Sequence, residues 1–338
     1  MVQARTLPKQ KKLVPEEMQK RLTNAGFSSI ALIGCRGTGR FHPCCEFDIL
    51  ADVKDNTVSH KVFDSEFVDI MPIPNTPSES DLFNALQMKV ISDPSLLFVA
   101  LQRDDQRRVA EDYALSRLLE SISAIKKAES CNIEKNFVDA SFWLNFAGYG
   151  LAEAAVSIHA MSVHPAHLLD DIRGAFMQIG APQETFFEAI NLQSVSRTSV
   201  ERRLEGINQV ILSSLQIQEG SPESIYVYSK QLSQKVSWLL NNHAVLQAQT
   251  FLGYHTIRML KMMYSRFCRE MGIPEHHNRL VVELLEKGER PFRISQDSFR
   301  LIGIQSEVSS MLSTAQHLRS LAEAVRRTIA GERLSMKQ

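Results

Sequence analysis

The sequence predicts an α+β chain, with a small mixed sheet near the N-terminus followed by an all-helical region. Three observations lead there. Short apolar runs bounded by turn residues recur before residue 100 and then cease. From about Asp104 onward, apolar residues return at helical spacing instead. A length of 338 residues is enough for two or three domains, each with its own core. The chain accordingly divides into a basic tail (1–14), an α+β domain (15–102), a helical domain (103–218) and a second helical region (219–338).

Taken in order, Pro15-Glu16-Glu17 suits a helix start, with proline in the first turn and acids at the positive end of the dipole. Asn24-Ala25-Gly26 suits its end. Residues 29–33 are a short apolar run ending at a glycine, the pattern of a buried strand. Two further strands are expected over 46–53 and 60–71, joined by a turn at Lys54-Asp55-Asn56. Pro72, Pro74 and Pro77 then break the pattern, and a helix over 80–87 and a strand over 88–91 precede the Asp93-Pro94 turn. Helices are expected over 106–127, 137–161, 165–177 and 200–216. Gly220-Ser221-Pro222 marks a linker and a restart. Two helices within 222–271, parted near Asn241-Asn242, and two more over 279–287 and 296–329 complete the set.

Composition narrows the function classes. Lys+Arg and Asp+Glu both total 38, so no global charge excess is present to grip a polyanion. The basic run between Lys9 and Lys12 reads as a solvated tail. The N-terminus is polar and has no apolar signal core. Residues 142–161 form the longest apolar stretch, but Asn145, Glu153 and His159 interrupt it, which favours a buried helix over a membrane span. Five scattered cysteines, with Cys44 and Cys45 adjacent, make a poor disulfide framework, and a cytoplasmic, reduced chain is expected.

The informative stretch is Gly34-Cys35-Arg36-Gly37-Thr38-Gly39-Arg40, with Glu46-Phe47-Asp48 shortly after it. Residues two apart on a strand share a face, so Glu46 and Asp48 project side by side. Paired acids repel unless a positive group lies between them, and hard cations such as Mg²⁺ take oxygen ligands. The turn offers backbone amides to a phosphate, assisted by Arg36 or Arg40. Asp69 lies on the next expected strand among apolar neighbours, where an unpaired carboxylate is costly.

In order and spacing these residues resemble the nucleotidyltransferase superfamily that includes DNA polymerase beta and the aminoglycoside nucleotidyltransferases. Gly34-Cys35 stands at that family's Gly-Ser position, Glu46-Phe47-Asp48 at its acid pair, and Asp69 at the third acid, after a hairpin as in kanamycin-type members. Lys89-Val90-Ile91-Ser92-Asp93-Pro94 is similar to the strand and Asp-Pro turn that come later in those enzymes. The resemblance spans residues 15–100 and extends loosely to the helix holding Trp143, Tyr149 and Glu153. Two positions depart from the pattern: Cys35 replaces a serine with a weaker donor, and Glu46 is one methylene longer than aspartate.

The resemblance implies a nucleoside triphosphate such as ATP as substrate, with two Mg²⁺ ions bound through Glu46, Asp48 and Asp69. Gly34, Cys35, Arg36, Gly37 and Arg40 would then bind the nucleotide. It implies in-line attack by an acceptor hydroxyl on the α-phosphorus, with pyrophosphate leaving and Asp69 completing the site that activates the hydroxyl. Glu153, an acid inside an apolar helix, is the candidate general base from the helical region. The acceptor is left open among small molecules, proteins and RNA ends, and the helices are expected to shape its cleft and a homodimer interface. The rival expectation is a degenerate member whose helices bind a protein or RNA partner, which the Cys35 and Glu46 departures favour.

Three other patterns are weaker. Cys35, His42, Cys44 and Cys45 are close in sequence but match no zinc-ligand spacing. His164-Pro165-Ala166-His167 reads as a helix boundary. Arg269 and His276 have the separation found in HEPN-type helical ribonucleases, but Gly272-Ile273-Pro274 breaks the helix they would need to share.

Overall fold

The computed structural model describes residues 16–335 apart from 53–58, 64–65, 74–75, 102–104, 160–162, 194, 214–221, 276–278, 287, 289–293 and 296–309. The basic tail, Pro15, the Lys54-Asp55-Asn56 turn, Pro74, the Gly220-Ser221 linker, His276 and the first part of the last expected helix lie outside the described residues.

The architecture is α+β: a five-stranded mixed sheet in the N-terminal part, then helices. Helix α1 (Glu16–Asn24) precedes β1 (Ile30–Ile33), and a short helix α2 (Gly34–Thr38) leads to β2 (Phe47–Ala51). Strands β3 (Ser59–Phe63) and β4 (Glu66–Pro72), helix α3 (Glu79–Ala85), strand β5 (Lys89–Ser92) and helix α4 (Leu97–Leu101) complete the sheet region. Strand order is β3-β4-β2-β1-β5. Here the structure corrects one expectation. Residues 60–71 are not one strand hairpinned to β2, because β3 and β4 pair antiparallel to each other. Strand β2 instead runs parallel to β4, with Asp48 opposite Asp69. The expected glycine-rich turn is also more regular than foreseen: α2 is one helical turn closed by Gly39 in the left-handed conformation.

Alternation along the strands sorts side chains onto two faces. Ile30, Leu32, Phe47, Ile49, Val68 and Ile70 pack beneath α1, which buries Met18 and Leu22 there. The opposite face buries Ala31, Ile33 and Leu50 with Ala85, Met88 and Phe98. Helix α3 starts at a capping box in which Ser78 and Asp81 satisfy each other's backbone amides.

The helical region comprises α5 (Gln106–Ile133), α6 (Phe137–Ser157), α7 (Leu168–Ile179), α8 (Glu184–Ala189), α9 (Arg197–Ser213), α10 (Pro222–Asn241), α11 (Val245–Met271), α12 (Leu280–Glu286) and α13 (Met311–Ser335). One apolar core takes side chains from both helical stretches, including Trp143, Phe176, Phe186, Leu239, Tyr264 and Leu318. Helix α6 is its axis, with every residue from Asp139 to Ser157 buried. That explains its apolar sequence without a bilayer. Among the described residues, no helix is long and apolar enough to cross a membrane. Helix α11 ends at Gly272 in the left-handed conformation, as Gly272-Ile273-Pro274 predicted.

Contacts between sheet and helices position the site. Helix α10 lies against the edge strand β3, where the His60 amide donates to Ser224 Oγ at 2.8 Å. Phe83 of α3 stacks on Tyr113 of α5 with ring centroids 4.2 Å apart.

Candidate functional site: a carboxylate cluster closed by a lysine

Three of the predicted acids converge. Glu46, Asp48 and Asp69 each offer an oxygen within 4.8 Å of the others. The register of β2 and β4 is the cause for two of them: paired positions on parallel neighbours put Asp48 and Asp69 on one face, and Glu46, the residue just before β2, joins them. Gly34 supplies the floor. Its φ is +67°, and a Cβ there would come 2.0 Å from Asp48 Oδ2, so both conformation and space call for glycine.

The helical region supplies the opposing charges. Lys235 of α10, itself 3% exposed, sets its ammonium against Glu46 Oε2. The contact is a close ion pair, so a cation reaching this buried oxygen would have to compete with the ammonium. Asp69 accepts from Gln231 Nε2 at 3.0 Å, and its other oxygen lies 2.7 Å from His60 Nδ1. Tyr228 approaches His60 ring to ring at 4.9 Å and pairs with His255 Nδ1 at 2.8 Å. Burial, reinforced by Glu46 and Asp69, pushes the Asp48 carboxyl well above the usual carboxylate range. Burial opposes the charge on Lys235, but Glu46 and the neighbouring Cys45 and Cys35 together outweigh it and hold the ammonium above the ordinary lysine value. Burial drives His255 down to about 3, so this imidazole is neutral.

The remaining predicted residues are placed differently. Arg36 donates through Nε to the Cys45 and Glu46 carbonyl oxygens at 2.8 and 3.1 Å, and its guanidinium lies 3.9 Å from the centre of the Phe47 ring. It thereby shapes the entry to β2. Arg40 forms an ion pair with Asp171 of α7. Gly37 lies over β1, where a Cβ would approach the Leu32 carbonyl oxygen to 2.8 Å. An open cleft of about 480 Å³ sits beyond it, lined by Gly37, Thr38, Arg40, Lys89 and His164 among others. Glu153 belongs to a second polar cluster: Arg258 donates to both its oxygens at 2.7 and 2.9 Å, and Tyr254 and Tyr113 donate as well. Among the described residues these partners lie on helices α5 and α11, apart from the carboxylate cluster.

Cys35 belongs to a different group of potential ligands. Its sulfur lies within 4.8 Å of Cys45 Sγ and a nitrogen of His167, the last residue before α7. Hydrogen bonds from Cys35 and Cys44 lower the Cys45 thiol far below the ordinary value, against the effect of burial. Cys35 is correspondingly raised, first by that hydrogen bond and then by burial.

Lys235, Gln231 and His60 escaped the sequence reading, as did the meeting of His167 with the cysteines. For Lys235 no local signal exists, since it lies on a helix far along the chain from Glu46. His60 had one: in a β3–β4 hairpin it faces Asp69. Compared with known protein families and with curated proteins, the chain gives no match.

Proposed function

We propose that the chain is a nucleotidyltransferase-like protein that binds a nucleoside triphosphate with Mg²⁺ at Glu46, Asp48 and Asp69. The observation that carries this reading is the convergence of the three carboxylates over Gly34, on paired positions of parallel strands. An all-oxygen donor set fits a hard cation. Mg²⁺ there would neutralise triphosphate charge. The chain's own residues would do the rest. Asp48 and Glu46 hold the cation, Asp69 is oriented by Gln231 and His60, and Lys235 provides positive charge when no cation is bound. A nucleotidyl transfer to a hydroxyl acceptor is the activity this arrangement would serve.

A second reading has its own support. Glu46 is paired with Lys235, Asp69 already has two protein partners, and Arg36 and Arg40 are engaged elsewhere. That is the condition of a fold kept as a regulatory or interaction module, with the former metal site converted into a joint between sheet and helices.

Isothermal titration of ATP with and without Mg²⁺, on the wild type and on an Asp48→Asn, Asp69→Asn double variant, separates the two. Mg²⁺-dependent binding that the double variant loses supports the nucleotide site. Absence of binding by the folded wild type favours the module.

A further inference from the structure

We propose that Cys35, Cys45 and His167 form a buried binding site for a thiophilic transition-metal ion, Zn²⁺ foremost, separate in its donors from the carboxylate cluster. Three segments build it. Cys35 stands at the start of α2, Cys45 at the end of the turn leading into β2, and His167 immediately before α7. The three side chains offer one ligand atom each, all within 4.8 Å of one another, and the residues are between 2% and 6% exposed.

The spacing of Cys45 and His167 matches that of two ligands on one metal. With metal–sulfur and metal–nitrogen bonds of about 2.3 and 2.0 Å, a tetrahedral angle spans about 3.5 Å between sulfur and nitrogen. Cys45 Sγ lies 3.6 Å from His167 Nε2. A thiol-to-imidazole hydrogen bond has a similar length, so it is the second sulfur that points to a metal. Two thiols and an imidazole converge in one buried spot, which desolvates three potential ligands for contacts that are otherwise only weak thiol hydrogen bonds. Two thiolates and a neutral imidazole balance a divalent cation, and sulfur with imidazole selects zinc over magnesium.

The surroundings are those of an ordered site. The His42 amide points at Cys45 Sγ at 3.4 Å, a donor to a thiolate. The His42 ring stacks on His167 with centroids 4.3 Å apart, and Trp238 of α10 lies 4.8 Å from His42 on a tilted plane, which together fix the imidazole. The ion would tie the sheet to the helical region at a point where Arg40 and Asp171 already join them. Cys35 thus has a role that a serine at the same position would not fill.

The test uses the full chain, reduced and freed of metal, titrated anaerobically with Co²⁺ as a coloured stand-in for zinc. The expected result is saturation at one equivalent, with thiolate-to-cobalt charge transfer in the near ultraviolet and the intense visible bands of a tetrahedral ion, both erased by Zn²⁺. Cys35→Ser and Cys45→Ser should each weaken binding and cut the charge-transfer band, the double variant should remove it, and His167→Asn should weaken binding by about tenfold or more. Cys268→Ser, which replaces a buried cysteine on α11, should change nothing. Failure of the folded wild type to take up cobalt overturns the proposal. So does cobalt bound without the charge-transfer band, which is the signature of oxygen ligands at Glu46, Asp48 and Asp69. A Cys35–Cys45 disulfide in protein that takes up no metal after reduction overturns it too. Should a variant fail to fold, the wild-type titration still decides.

Discussion

Replacing Lys235 with methionine removes the charge that balances the carboxylate cluster while keeping most of the side-chain volume. Lys235 is 3% exposed and the Glu46 side chain 16%, so the pair is largely shielded from water. Breaking a buried pair by deleting one partner costs about 3–5 kcal/mol, because the remaining charge is left uncompensated. The ammonium also lies 5.0 Å from the centre of the Phe251 ring, and that contact is lost as well. Against a typical total stability of about 5–15 kcal/mol, such a loss is easily measured by urea unfolding. If the cluster is a cation site, Mg²⁺ should restore part of it. A cation at one hundred times its dissociation constant stabilises the folded state by about 2.7 kcal/mol. The variant should therefore show a larger Mg²⁺ response than the wild type, in which the cation must displace the lysine. Adding Asp48→Asn and Asp69→Asn should abolish the response, and NaCl at matched ionic strength should not reproduce it. A loss below about 1 kcal/mol, the scale of an exposed pair, would refute the assigned burial. A full loss with no Mg²⁺ rescue would refute the cation site.

The geometry sets two further outcomes. Gly34→Ala places a methyl 2.0 Å from Asp48 Oδ2 at a φ of +67°. The left-handed backbone alone costs about 1–2 kcal/mol, and Asp48 must swing out of the cluster, so Mg²⁺-dependent binding should disappear while circular dichroism still shows a folded chain. Unchanged binding would show that Asp48 is dispensable. Asp139 caps α12 from α6, accepting from the Val281 and Val282 amides at 2.7 and 3.3 Å, yet burial outweighs these bonds and raises its carboxyl to about 6. A raised folded value means the protonated form is favoured in the fold, so this group's contribution to stability is present below about pH 3.8 and is lost as pH rises through about 6. The shift corresponds to about 3 kcal/mol, and Asp139→Asn, which cannot ionise, should gain on the wild type by about that amount between pH 3.5 and 6.5 in paired urea melts. A pH-independent difference would mean the hydrogen bonds outweigh burial.

Much of the fold was legible in the sequence because it rests on local patterns. Residues 29–33 had to be a buried strand, Gly272-Ile273-Pro274 had to end a helix, and the acid inside an apolar strand at Asp69 announced a polar site. Glu46 and Asp48 were expected on one strand face, although β2 begins at Phe47; β1, β2 and the long helices fell close to their expected spans, while α4 and α8 had no counterpart among the expected elements. The break between β3 and β4 was missed because a strand pattern does not say where a short reversal occurs.

What the tertiary structure alone decided is the company those acids keep. Lys235 and Gln231 reach the carboxylates through the packing of α10 on the sheet edge, and sequence spacing carries no trace of that contact, whereas His60 faces Asp69 across the β3–β4 pairing. The same holds for His167, brought to Cys35 and Cys45 by the seating of α7, and for Glu153, whose apolar helix ends among Arg258 and two tyrosines. Sequence alone determined which residues carry charge or sulfur and which face of an element they occupy. Their partners come from elements far along the chain, and only the packing of those elements determines which charges meet and which are neutralised.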